Sequence, residues 1–183
     1  DKANGMNDAF WTELPDLVAG FDADMSVRAL VISGAGKHFS GGMDLGLFQD
    51  LHGLLRQEPG RAAFTMRRLI GRLQGALTAL ETTRLPVIAA IHGACIGGAV
   101  DLICACDIRL AASDARFSIE EIHIGMAADV GTLQRLPKLI ARAAAVVRRE
   151  RLAVEAHLAL ARRKKARDDP GRGRFARPGL AHD

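Results

Sequence analysis

Pro86-Val87-Ile88-Ala89-Ala90-Ile91-His92-Gly93-Ala94-Cys95-Ile96-Gly97-Gly98-Ala99-Val100-Asp101-Leu102-Ile103-Cys104 is the stretch on which the fold turns. Pro86 stops whatever helix precedes it, and Val87–Ile91 is a short apolar run of strand length. A turn of small residues follows from Gly93 to Gly98. The chain then re-enters an apolar run, Ala99 to Cys104, interrupted by one acid, Asp101. Strand, glycine turn and buried helical run in that order point to an α/β protein with strands covered by helices.

The same texture extends upstream. Arg28-Ala29-Leu30-Val31-Ile32-Ser33 reads as a strand buried on both faces, followed by the glycine-rich Gly34-Ala35-Gly36-Lys37-His38-Phe39-Ser40-Gly41-Gly42. Between the two strands, Met66, Leu69, Ile70, Leu73, Leu77 and Leu80 keep a helical period from Arg61 to Thr82, with Arg67, Arg68, Arg72 and Gln74 on the other side. Met6 to Phe21 is a further helix, with Asn7 or Asp8 as N-cap and Pro15 expected to bend or divide it. Downstream, Asp107–Ala112 and Arg116–Ile119 are expected as a third and a fourth strand.

Composition narrows the classes. The chain has 183 residues, 49% apolar and 25% charged, which fits one globular domain. No apolar run approaches the roughly 18–20 residues of a membrane span, and Asp1-Lys2-Ala3-Asn4-Gly5 does not open like a signal peptide, so no membrane is expected among its partners and a cytoplasmic location is. Cys95, Cys104 and Cys106 read as small buried hydrophobes of a reducing compartment, and His38, His92 and His123 lack metal spacing; no metal site is expected. The net charge of +4 is uneven: residues 141–183 hold 12 Lys and Arg against 5 Asp and Glu, leaving 13 against 16 in residues 1–140. Two segments are therefore expected, a core over 1–140 and a basic, Arg/Ala-rich tail over 141–183. In that tail Ala143–Ala161 has helical composition and the remainder has too little apolar surface to order. Without interleaved aromatics the tail offers salt-sensitive phosphate attraction and no specific nucleic-acid site.

Two glycine turns, Ser40-Gly41-Gly42 and Gly97-Gly98, are where a backbone can approach a ligand and present N–H groups. If a helix begins near Ala99, the Gly98 N–H sits at its positive end, and a second N–H from Gly41 completes a two-donor oxyanion hole. Neither turn fits a phosphate loop or a dinucleotide fingerprint. Three acids stand in apolar surroundings, which raise carboxyl pKa values: Asp101, Glu121 and Asp129. Taken alone, Asp129 is better read as the N-cap of a helix before Val130-Gly131-Thr132-Leu133. Glu120 is the solvent-facing neighbour of Glu121.

With these residues in place, a resemblance emerges. Phe39-Ser40-Gly41-Gly42-Met43-Asp44-Leu45, Pro86–Gly93 and Ile96–Leu102, combined in this order, resemble the crotonase (enoyl-CoA hydratase/isomerase) superfamily over residues 1 to about 140. Within it, Gly125-Met126-Ala127-Ala128-Asp129-Val130-Gly131-Thr132-Leu133-Gln134-Arg135-Leu136-Pro137 is similar to the Δ(3,5)-Δ(2,4)-dienoyl-CoA isomerases. Hydratases usually place glycine where Asp129 stands and Glu where Asp101 stands. The resemblance implies a spiral of ββα repeats, usually assembled as homotrimers or hexamers. It implies an acyl-CoA thioester substrate, with no cofactor beyond the coenzyme A that the substrate itself carries. It assigns the thioester oxygen to the N–H groups of Gly41 and Gly98, the C2-facing carboxylate to Glu121, the carboxylate near C6 to Asp129 and electrostatic tuning to Asp101. Ser40, Gly42, Met43, Asp44 and Leu45 would line the thioester and proximal acyl chain.

Two departures from the family pattern give a further expectation. Asp1-Lys2-Ala3-Asn4 begins inside an early loop of the fold, and 141–183 has the composition of GC-rich coding sequence read out of frame, so the core is expected to be incomplete at both ends. The reading is an isomerase of 3,5-dienoyl-CoA in fatty-acid β-oxidation. The alternatives are an enoyl-CoA hydratase and a non-catalytic, CoA-binding remnant.

Overall fold

A computed structural model describes residues 3–48, 53 and 56–147 of the chain. Helix α1 (Asp8–Ala23) starts where the Asn7 side chain accepts the Phe10 N–H, satisfying one of the open donors of its first turn. Pro15 lies inside it without dividing it; the missing N–H removes only one bond of the ladder. Helix α2 (Pro59–Thr82) begins two residues before the position expected from periodicity. Glu58 accepts the N–H groups of Gly60 and Arg61, and Pro59 needs no donor in the first turn. It buries Leu73, Ala76, Leu77 and Leu80. The two helices are joined by Arg72 and Asp8 at 2.6 Å.

Strands β1 (Leu30–Ser33), β2 (Val87–Ile91) and β4 (Ile108–Ala111) form a parallel sheet in the order β1-β2-β4. Strands β3 (Ala94–Ile96) and β5 (Arg116–Ser118) form a second parallel pair, with Cys95 opposite Phe117. From β2 onward successive strands go to alternate sheets, and β2-β3 is followed at once by α3 (Gly98–Ala105). All eight residues of α3 are buried, so it is the central helix around which the strands turn. Strand β3 was hidden in the sequence, because three residues between glycines carry no alternation long enough to read.

The expectation that β1 is covered on both faces fails. β1 is an edge strand, and Val31 is 65% exposed. Register puts Val31, Ile88 and Ile108 in one row of the same face, with Leu110 beside it; Ile108 and Leu110 are 46% and 59% exposed. An apolar row of this kind favours self-association. Light scattering should therefore find heterogeneous, concentration-dependent species, and one monodisperse species at all concentrations would contradict this.

The three cysteines are free and buried, and burial pushes their thiols up to about 12 at Cys95 and Cys106 and about 11 at Cys104. Helix α4 (Thr132–Val147) runs past residue 140. The tail beyond residue 147, including most of the helix expected over Ala143–Ala161, lies outside the described residues.

Candidate active site

The segments Ala3–Met6 and Ser40–Asp44 run side by side. Gly41 donates its N–H to the Ala3 carbonyl at 2.8 Å, Met6 donates to the Gly42 carbonyl at 2.8 Å, and Asp44 donates to the Met6 carbonyl at 3.0 Å. The Gly42 N–H goes to the Ser40 hydroxyl at 3.0 Å. The donor expected from Gly41 is therefore already spent. Gly42, at φ +93°, shifts the alternation of the strand by a residue, so that Met43 lies between the two bonds to Met6 and turns its own N–H away from them. Only glycine fits there, since a Cβ would sit 2.5 Å from the Ile96 carbonyl oxygen.

The other turn meets this one. Gly97, at φ +52°, donates to the Ser118 carbonyl at 2.8 Å, and Gly98 opens α3 with an N–H that the helix does not use. A Cβ at Gly98 would lie 3.6 Å from the Met43 nitrogen, and one at Gly42 would lie 3.5 Å from the Gly98 nitrogen. Among the described residues, neither the Met43 nor the Gly98 N–H has an acceptor. These two groups, not Gly41 and Gly98, are the adjacent free pair. Ser40 is 4% exposed with its hydroxyl engaged on both sides, so it supports the loop from behind. Asp44 accepts the Gly46 N–H and caps the 3₁₀ turn that Leu45 opens.

Glu121 starts the 3₁₀ turn Glu121–Ile124 after β5, and its Oε1 lies 3.2 Å from the Cβ position of Gly97. Its Oε2 is buried with no hydrogen-bond partner among the described residues. Burial pushes this carboxyl above its ordinary range, and the Asp101 charge adds to the effect. Glu120 takes the Ser118 hydroxyl and the His123 ring instead.

Asp101 is 1% exposed, in the first turn of α3. Its Oδ1 accepts the Thr132 N–H at 2.5 Å and so caps α4 from across the core. Burial pushes its pKa up against that bond, with the Asp129 charge raising it further and Arg135 opposing. Arg135 is held by Glu81 at 2.7 Å. Asp129 is thus not the cap of α4. It is half-buried, and its carbonyl receives Gln74 of α2 at 2.8 Å and Gln134 at 3.2 Å. Gln74, Thr132 and Arg135 carry no signature in the sequence, because their partners lie on other elements.

A family model, enoyl-CoA hydratase/isomerase, matches residues 1–150. The chain belongs to the enoyl-CoA hydratase/isomerase family. Family membership bears out the crotonase resemblance and the α/β class, and it runs past residue 140. The mitochondrial Δ(3,5)-Δ(2,4)-dienoyl-CoA isomerase of Rattus norvegicus is 51% identical over 144 residues, 76% of this chain and 43% of the rat protein. The peroxisomal Δ(3,5)-Δ(2,4)-dienoyl-CoA isomerase of Arabidopsis thaliana is 46% identical over 145 residues, 78% of this chain and 52% of the relative. A Thermobifida fusca protein described as an enoyl-CoA hydratase, solved in complex with acetoacetyl-CoA, matches with a TM-score of 0.63 at 29% identity, covering 75% of this chain and 53% of that one. The chain spans about half the length of the curated relatives it matches. The expectation of a cytoplasmic protein is overturned, since these relatives of the enoyl-CoA hydratase/isomerase family are named mitochondrial and peroxisomal.

Proposed function

We propose that the chain carries the site of an isomerase that converts 3,5-dienoyl-CoA to 2,4-dienoyl-CoA, a step of fatty-acid β-oxidation. The observation that carries this reading is the unpartnered Glu121 oxygen beside the adjacent free N–H groups of Met43 and Gly98. A thioester oxygen placed between those two donors is polarised, and the negative charge that grows on it is held at the N-terminus of α3. Glu121 then removes a proton from C2, giving a dienolate. Asp129 delivers a proton at C6, the double bonds settle at C2 and C4, and the proton on Glu121 must return to Asp129 before the next turn. One carboxyl cannot reach both carbons, which is why two are needed. The Asp101 charge adds to the effect of burial in holding the Glu121 carboxyl above its ordinary range, which strengthens it as a base. No cofactor enters; coenzyme A comes with the substrate. The names of the rat and Arabidopsis relatives support the isomerase over the hydratase.

The test is to offer 3,5-dienoyl-CoA and 2-enoyl-CoA in deuterated water, following 2,4-diene absorbance and deuterium at C2. Isomerisation outrunning hydration is expected, and the reverse would favour the hydratase. The pH dependence follows from Glu121. A base must be ionised, and burial raises its pKa. C2 exchange should therefore fall with acid at a pH above the ordinary carboxylate range of about 4.3, and rise to a plateau as pH increases. A midpoint at or below that ordinary value would remove Glu121 from the role.

A further inference from the structure

We propose that Asn4 is a positioning residue for the thioester-oxygen donors, an inference that rests on the enolate-stabilising reading above. Asn4 has a left-handed backbone, φ +54°, a conformation in which asparagine is over-represented among residues with a Cβ. That backbone lets one residue bond in two directions. Its side-chain amide donates to the carbonyls of Ala35, His38 and Phe39 at 2.8, 2.9 and 3.2 Å, drawing the two ends of the glycine-rich loop together. Its own carbonyl accepts the Ser40 hydroxyl at 2.8 Å, and that hydroxyl oxygen accepts the Gly42 N–H at 3.0 Å.

The chain of bonds has a directional result. Asn4 fixes Ser40, Ser40 takes the Gly42 donor, and the neighbouring Ala3 carbonyl takes the Gly41 donor. Both N–H groups that compete for the strand's inner side are thereby engaged, and Met43 is left as the one that faces Gly98. Asn4 touches neither donor and would not touch substrate. It acts through the loop, and a misplacement of about 1 Å at such a distance can cost about 10²-fold in rate.

The experiment uses Asn4→Gly, which keeps the left-handed backbone and loses the amide, and Asn4→Asp, which keeps the shape and loses the donors. Amide hydrogen exchange over residues 40–44 of the unliganded chain is the first readout. Both variants should exchange at least about tenfold faster than the parent at Gly42. Acetoacetyl-CoA is the second: its binding should weaken little, while the fraction held as enolate, read by ultraviolet absorbance, should drop about tenfold or more. A merely structural role would weaken binding and enolisation together. Exchange unchanged in both variants, or enolisation falling only in step with binding, would overturn the proposal. If the parent itself neither binds nor enolises acetoacetyl-CoA, the thioester reading falls, and the exchange rates still decide whether Asn4 holds the loop.

Discussion

Asp129→Asn should abolish dienoyl isomerisation while leaving hydrogen exchange at C2. The substitution keeps the shape of the side chain and leaves the carbonyl of residue 129 free to receive Gln74 and Gln134 as before, so the loop stays in place. What disappears is the transferable proton at C6. Loss of a positioned acid typically costs about 10²–10⁴ in rate, and the whole of that loss belongs to the second half of the reaction. Glu121 and the Met43 and Gly98 donors are unchanged, so the dienolate still forms and returns its C2 hydrogen to solvent. The Asp129 charge contributes to the raised pKa of Asp101, so its removal also lets Asp101 ionise more readily. Deuterium incorporation at C2 measured beside 2,4-diene formation separates the two steps. Isomerisation at the parent rate would take Asp129 out of the mechanism.

Gly98→Val is expected to lower turnover by about 10²–10³, the 2.7–4 kcal/mol that loss of one oxyanion donor typically removes. A Cβ at Gly98 lies 2.8 Å from the Met6 terminal methyl and 3.6 Å from the Met43 nitrogen. Alanine needs only a shift of the flexible Met6 tip, whereas the two γ-methyls of valine crowd the gap between the donors and keep the thioester oxygen out. Comparing kcat for the two variants makes the test internal. If valine turns over as fast as alanine, the donors lie elsewhere. The same reasoning sets Gly42 apart from Gly98: its left-handed φ and the Ile96 carbonyl at 2.5 Å make it a requirement of the fold before it is one of the chemistry.

Periodicity fixed the helices well, because a helix announces itself locally. The Leu73, Leu77 and Leu80 stripe of α2 and the Asn7 cap of α1 are properties of residues a turn or so apart. The apolar run of β2 was equally plain, and so was the family, since Ser40–Leu45 and Gly97–Asp101 keep their order and residue types whatever the rest of the chain does. Sequence also singled out Glu121, Asp129 and Asp101 as acids standing in apolar surroundings.

Tertiary structure decided how these groups are used. Which N–H of the Gly41–Met43 turn faces the site depends on the backbone phase, and that phase is set by Gly42 and by the Ala3–Met6 segment, more than 30 residues away in the chain. Asp101 takes the capping role that local sequence offered to Asp129 because, from α3, it reaches the open N–H of Thr132, a contact between residues 31 apart. The exposure of Val31 belongs to a whole sheet face that it shares with Ile108 and Leu110, which no local pattern encodes. Residue type and spacing carry what neighbours within a turn or a strand can determine. The direction of a donor, the partner of a buried acid and the cover of a strand depend on where distant segments come to rest.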